Sequence, residues 1–190
     1  MADAPVSVES IYRVARLLDE AGLPYAFIGG VALGAWAIPR GTFDLDLALS
    51  LEGREVADLH RRLEGGGLVV ERIFERGFRD RVGGMEKLHL HLPVGGTLMA
   101  IDVFLAGTDF LRSLLARRRT VELGGGPVAV CSAADLLLLK LIADRPKDRL
   151  DVDNLLAVQG VPEREYLETW AERLHVRDRL ERTLEAHGGR

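Results

Sequence analysis

The stretch that most constrains how this chain can fold runs from Tyr25 to Leu49, YAFIGGVALGAWAIPRGTFDLDLAL, where the backbone must change type three times in quick succession. An aromatic and β-branched run, Tyr25 to Ile28, stops at Gly29 and Gly30, after which Ala32, Leu33, Ala35, Trp36 and Ala37 read as a short buried helix. Pro39 ends that helix, Arg40 and Gly41 make a turn, and Thr42 to Leu47 alternates polar and apolar with the period of a strand. Successive strand side chains point to opposite faces, so Asp44 and Asp46 share one face while Phe43, Leu45 and Leu47 share the other.

Two neighbouring carboxylates each resist ionising beside the other, and a proton or a cation relieves them. Spacing alone also fits the solvated face of an amphipathic strand. Hard oxygen ligands, without thiolates or a dense histidine cluster, suit Mg²⁺ or Mn²⁺. A glycine turn opening a helix offers free backbone N–H groups and a positive dipole to the phosphates that commonly accompany such an ion, which makes Gly29 and Gly30 candidate phosphate contacts.

Composition sets the class. With 190 residues, 47% hydrophobic and 28% charged, the chain has enough apolar material for one or two small globular domains. No apolar run reaches the roughly 18 residues that span a bilayer, and MADAPVSVES lacks the basic and apolar regions of a signal peptide, so a cytoplasmic protein without a membrane partner is expected. Cys131 is the only cysteine, which rules out an intrachain disulfide, and its apolar neighbours favour an inert core thiol. A net charge of −4 argues against a broad nucleic-acid face and leaves only local patches.

In chain order, helices are expected over 6–21, with Ser7 as cap, and over 54–64. A strand over 68–74 leads into a charged connector, 75–84, whose Arg76, Arg79 and Arg81 read as solvated. Lys87 to Leu92 alternates strictly, placing His89 and His91 on one strand face, which reads as a polar face more readily than as a transition-metal site. Gly95-Gly96 makes a hairpin turn into Thr97–Leu105, an apolar strand in which Asp102 is a lone charge needing water or other charges beside it. A helix over 108–119 carries the most basic patch, Arg112 and Arg117 to Arg119, and a hairpin joins 120–123 to 127–130. From Ser132 the pattern is helical. Lys140 interrupts a run of leucines, Pro146 suits the first turn of the next helix, and Asp148 and Asp151 fall on one helical face. Residues 163–187 read as one or two solvent-facing helices.

The double glycine, its spacing and the Asp-Leu-Asp that follows resemble the signature of the DNA polymerase β-like nucleotidyltransferase superfamily. Arg40-x-Thr42-x-Asp44-x-Asp46 is most similar to the small prokaryotic members related to the AbiEii toxins. Ile101-Asp102-Val103 resembles that superfamily's third-carboxylate strand, and KLIADRPKDRLD resembles a later segment of the AbiEii relatives, to which Lys140 and Asp148 belong. One departure is that Gly29-Gly30 stands where many members have Gly-Ser.

The resemblance implies an α/β (α+β) nucleotidyltransferase fold with a mixed, mainly antiparallel sheet flanked by helices. The resemblance covers roughly residues 25–155, and the change to a helical pattern at Ser132 divides the chain into an expected catalytic core over residues 1–131 and a helical segment over 132–190 packed on it. Two Mg²⁺ or Mn²⁺ ions would be held by Asp44, Asp46 and Asp102. Gly29, Gly30, Arg40 and Thr42 would contact the nucleotide phosphates, and Lys140 and Asp148 would support catalysis. The reaction would move a nucleoside monophosphate from an NTP such as ATP to RNA, including tRNA, to protein or to a small molecule. A toxin with an antitoxin partner predicts a basic acceptor groove, and an aminoglycoside-type antibiotic enzyme predicts an acidic pocket. A catalytically inactive nucleotide-binding or scaffold protein is the third alternative.

Overall fold

In the computed structural model, residues 5–70, 78–79 and 85–188 are described. The strict alternation read in the sequence builds the centre of a mixed sheet. In β2 (Asp44–Leu49), β5 (Glu86–Val94) and β6 (Thr97–Leu105), one set of side chains is fully buried, including Leu45, Leu47, Leu88, Leu90, Ile101 and Val103. The alternate set, Asp44, Asp46, Lys87, His89, His91 and Asp102, is only half-buried and makes the opposite face polar.

The remaining strands are β1 (Tyr25–Phe27), β3 (Val69–Val70), β4 (Phe78–Arg79), β7 (Arg119–Glu122) and β8 (Pro127–Val130). The sheet order is β3-β5-β6-β2-β1-β8-β7, with β4 also pairing on β5. The pairs β2–β6 and β1–β8 are parallel and the others antiparallel, as expected for a mixed, mainly antiparallel sheet. The tight Gly95-Gly96 turn, with φ of 54° and 83°, sets the β5–β6 register from Val94↔Thr97 outward to Lys87↔Phe104.

Eight helices complete the described chain: α1 (Val8–Glu20), α2 (Gly29–Trp36), α3 (Val56–Gly65), α4 (Asp109–Ala116), α5 (Ala133–Ala143), α6 (Pro146–Gln159), α7 (Arg164–Arg173) and α8 (Arg177–Gly188). Ser7, Thr108 and Ser132 cap α1, α4 and α5 by accepting hydrogen bonds from the amides of Ser10, Leu111 and Asp135. α2 has no polar face because it is packed between β2 and the helices α5 and α6. The α6 side chains of Asn154 and Gln159 donate to the carbonyls of Ile38 and Trp36 and so tie down the loop that follows α2. No helix among the described residues is long and apolar enough to cross a membrane.

Several local expectations shift. β2 begins at Asp44, so Thr42 lies ahead of the strand. Phe78–Arg79 pairs with β5 where a connector was expected, while Arg76, Arg81 and residues 71–74 of the expected β3 extension lie outside the described residues. α4 ends at Ala116 and Arg119 already belongs to β7. Arg117 is not a solvated cation. Its guanidinium stacks 3.8 Å from the Tyr166 ring centroid and pairs with Glu163 at 2.6 Å, because the α4–α7 contact gives it an aromatic face and an acid together. Cys131 is fully buried and burial raises its thiol well above the ordinary range, in keeping with an inert core residue.

Candidate active site

The parallel register of β2 on β6 puts Asp46 directly beside Asp102, and Asp44 follows two residues before Asp46 on the same face. One carboxylate oxygen from each of the three lies within 4.8 Å of the others. Like charges this close are unfavourable without a counter-charge. Asp46 carries most of the strain: burial, then the charges of Asp44 and Asp102, push its carboxyl up to about 6. Three hard oxygen donors with excess negative charge and no sulfur fit a divalent cation such as Mg²⁺ or Mn²⁺.

Each carboxylate is held differently. Thr42 Oγ1 donates to Asp44 Oδ1 at 2.8 Å. Asp102 is engaged at both oxygens, Oδ2 by the Lys87 ammonium and Oδ1 by His89 Nδ1 at 2.8 Å. Asp46 sits against the start of α2, so closely that a Cβ at Gly29 would collide with its carboxylate, and Gly29 also has φ of +57°. Only glycine meets both demands. Gly30 is constrained by Thr42 instead: a Cβ there would lie 2.9 Å from Thr42 Cβ and 3.1 Å from its hydroxyl oxygen.

Across the cleft stands a network of opposite character at the α5–α6 junction. Lys140, 6% exposed, donates to Asp148 Oδ1 at 3.0 Å and Asp151 Oδ2 at 2.6 Å. Arg40 forms a two-pronged pair with Asp151 at 2.7 and 2.8 Å, and Arg145 reaches Asp148 at 2.5 and 3.2 Å. Burial works to raise both acids. For Asp148 the hydrogen bonds from Arg145 and Lys140 outweigh it, and for Asp151 those from Arg40 and Lys140 do, so both stay below the ordinary carboxylate range. With three cations and two acids the network is net positive, and Lys147 adds a further cation at the cleft wall.

The same cleft is lined by Gly29, Gly30, Arg40, Thr42, Asp44, Asp46, Asp102, Lys140 and Asp148, so every site candidate from the sequence reaches one place. Three further residues belong with them. Asp151 joins Arg40 to Lys140, and its only sequence signal was its position three after Asp148 on a helix face. Arg145 pairs with Asp148 and lines the wall. Lys87 owes its place to the β5–β6 register, hinted at only by its being one of the chain's few lysines on a polar strand face. His89 braces Asp102, and His91 packs edge-on against His89 with ring centroids 4.8 Å apart.

No protein-family model and no curated protein matches the sequence. Solved structures do match. An antigenic nucleotidyltransferase-like protein from Paracoccidioides brasiliensis is 23% identical with a TM-score of 0.52, over 96% of this chain and 95% of that one. The lincosamide antibiotic adenylyltransferase LnuA, lincomycin-bound, is 14% identical with a TM-score of 0.58, over 82% of this chain and 100% of that one. ANT(2″)-Ia in complex with adenylyl-2″-tobramycin is 19% identical with a TM-score of 0.57, over 90% of this chain and 97% of that one. The chain therefore has the nucleotidyltransferase fold.

Proposed function

We propose that this chain is a divalent-metal-dependent nucleotidyltransferase that moves a nucleoside monophosphate from an NTP to an acceptor. The observation that carries this reading is the division of one cleft into two charged walls. Asp44, Asp46 and Asp102 form a negative cluster on the sheet, and the braced cations Arg40, Lys140 and Arg145 form a positive wall at the helix junction, with the glycine-opened end of α2 beside them. A metal–triphosphate complex needs both signs of charge at close quarters.

Asp44, Asp46 and Asp102 would hold one or two Mg²⁺ or Mn²⁺ ions, which supply charge neutralisation for an in-line displacement at the α-phosphate. The N–H groups of Gly29 and Gly30 have no partner within the helix and would donate to the phosphates. Arg40 keeps N–H groups beyond the two that Asp151 holds, and Thr42 completes that side of the cleft. Lys140 and Asp148 act as one unit that keeps the positive wall in place as pyrophosphate leaves. The acceptor oxygen bonds to the α-phosphorus, the bond to the pyrophosphate oxygen breaks, and Asp102 would take the acceptor's proton. In this reading residues 1–131 are the catalytic core, and residues 132–190 are the helical segment that brings Lys140 and Arg145 of the positive wall to it.

The acceptor side favours one alternative over another. Outside the carboxylate cluster, Asp148 is the only acid among the described lining residues, and it is already paired with Lys140 and Arg145. Among the described lining residues a polycationic aminoglycoside finds no spare carboxylate. The net charge of the wall suits RNA or protein acceptors, and with them a toxin paired with an antitoxin.

Thermal stability with ATP, CTP, GTP and UTP, each with and without Mg²⁺, tests the reading on wild type and Asp44→Asn/Asp46→Asn. A ligand at a hundredfold excess over Kd adds about 2.7 kcal/mol. The expected result is a Mg²⁺-dependent shift that the double variant loses. Nucleotide binding that ignores both Mg²⁺ and the substitutions would instead mark a catalytically inactive, nucleotide-binding protein.

A further inference from the structure

The carboxylate cluster already holds a cation of its own. Lys87 on β5 lies on the same face as the cluster, its cross-strand partner is Phe104, and its neighbour His89 is registered opposite Asp102. Its ammonium bonds Asp102 Oδ2 while His89 takes Oδ1, so neither Asp102 oxygen is available to a metal without sharing or exchange. The pair is secluded, with side chains 16% and 17% exposed, which limits screening by water. Lys87 also lines the cleft that Gly29, Gly30 and Arg40 line, and its Nζ lies 5.5 Å from the Phe104 ring centroid, an apolar rest for a lysine stem.

We propose that Lys87 is a resident counter-ion of the metal site. It holds Asp102 in the metal-free protein, yields that carboxylate to a divalent cation, and turns its ammonium to the phosphates of the nucleotide. The proposal rests on the metal and nucleotide reading given above. An ammonium and a divalent cation that want the same carboxylate oxygen compete, so Lys87 weakens binding of the metal alone. A nucleotide that offers the displaced ammonium a phosphate partner relieves that competition. Metal and nucleotide then bind with positive coupling, and the coupling is reciprocal. A lysine is suited to this exchange, because its compact charge sits on a flexible four-carbon stem. The arrangement favours entry of the metal together with its nucleotide.

The test reads metal binding, with no turnover needed. Mn²⁺ is titrated by electron paramagnetic resonance into wild type, Lys87→Met, Lys87→Gln and Lys87→Arg, with and without the α,β-methylene analogue of ATP. Both neutral variants are expected to bind Mn²⁺ alone about fivefold more tightly, the scale of one partly screened ion pair. In them the factor by which the analogue tightens Mn²⁺ falls by about the same amount, and Lys87→Arg, which keeps the charge but not the compact ammonium, falls between wild type and the neutral variants. A lysine that merely props up Asp102 predicts the opposite sign, weaker Mn²⁺ binding when it is removed. The proposal is overturned by unchanged or weaker Mn²⁺ binding in both neutral variants, by unchanged coupling, or by failure of both to fold. Asp44→Asn/Asp46→Asn separates the two levels. If that variant binds Mn²⁺ as wild type does, the metal site itself has been misplaced, whatever Lys87 does.

Discussion

The two walls of the cleft are built from the same residue types on opposite principles. On the sheet, three aspartates face one another with Lys87 as their ion-paired lysine, and Asp46 is pushed up to about 6. At the helix junction, two aspartates are surrounded by Arg40, Lys140 and Arg145, and both are held below the ordinary range. Frustrated charge is the character expected of a ligand site, and satisfied charge that of a scaffold, so the proposed function divides the two walls in these roles. Substitutions on the two walls should therefore separate activity from stability.

The largest effect is expected on the sheet. Asp44→Asn/Asp46→Asn should lower nucleotidyl transfer by on the order of a thousandfold or more, the scale of removing preorganised charge from a transition state. The same variant should melt no lower than wild type at neutral pH without metal, because it removes repulsion. Labelled-NTP transfer beside a thermal melt checks both. A large loss of stability with little loss of transfer would erase the contrast between the walls.

Next comes the junction. Lys140→Met leaves Asp148 and Asp151, 0% and 4% exposed at the side chain, each short of a cation, and should cost about 3 kcal/mol of stability. Denaturant unfolding reads this directly. Asp151→Asn should raise the KM for NTP more than it lowers kcat, because Asp151 acts through Arg40 and Lys140. Equal loss in both variants of kcat alone would place the junction in the chemistry itself.

How much of this was legible depends on whether the relevant contact is local. Asp44 and Asp46 could be placed on one face because a strand's period is two and both lie within one stretch. Asp102 declared itself as a lone charge in an apolar strand, but that it stands beside Asp46 follows from a parallel pairing between strands far apart in sequence. The hairpin register that brings Lys87 to Asp102 needs the Gly95-Gly96 turn geometry as well as the alternation. Arg40 and Asp151 are 111 residues apart, and nothing in either segment names the other. Arg117 stands in the sequence only as part of a basic patch for the same reason, since its aromatic and acidic partners come from the 160s. Caps, turns and alternation are written locally, and charge pairing between elements is not.

Acid separates the walls a third way. Asp46 is raised from near 3.8 to about 6, so the folded protein takes up its proton before the unfolded chain does. Its contribution therefore makes the metal-free protein more stable as pH falls from 7 to 5. Asp148 and Asp151 have the opposite sign. Their stabilisation is complete above 3.8 and is lost only as pH falls through their lower folded values. A pH series of melts should show a rise between 7 and 5 that Asp46→Asn diminishes, the buried and likewise raised Asp135 adding the same sign, followed by a loss below 4 that the substitution leaves in place. Saturating Mn²⁺ should suppress the rise, because the metal and the proton compete for one carboxylate.

The smallest effect sharpens the sheet wall, where Gly30 and Thr42 share one volume. A Cβ on residue 30 would press within 2.9 Å of Thr42 Cβ, so the serine of the Gly-Ser signature that the stretch resembles has no room while Thr42 keeps its place. Thr42 in turn spends its hydroxyl on Asp44 at 2.8 Å. Gly30→Ser alone should then cost about 1–2 kcal/mol through overpacking. Thr42→Ala alone should cost about 1 kcal/mol through the lost hydrogen bond, and should loosen Asp44. If the two side chains are alternatives for one space, Gly30→Ser/Thr42→Ala should be more stable than the two single costs predict, by roughly 1 kcal/mol, with part of the transfer activity restored. Simple additivity would mean that the helix start can shift to admit a serine, and that the fit between Gly30 and Thr42 does not hold Asp44 in line with its neighbours.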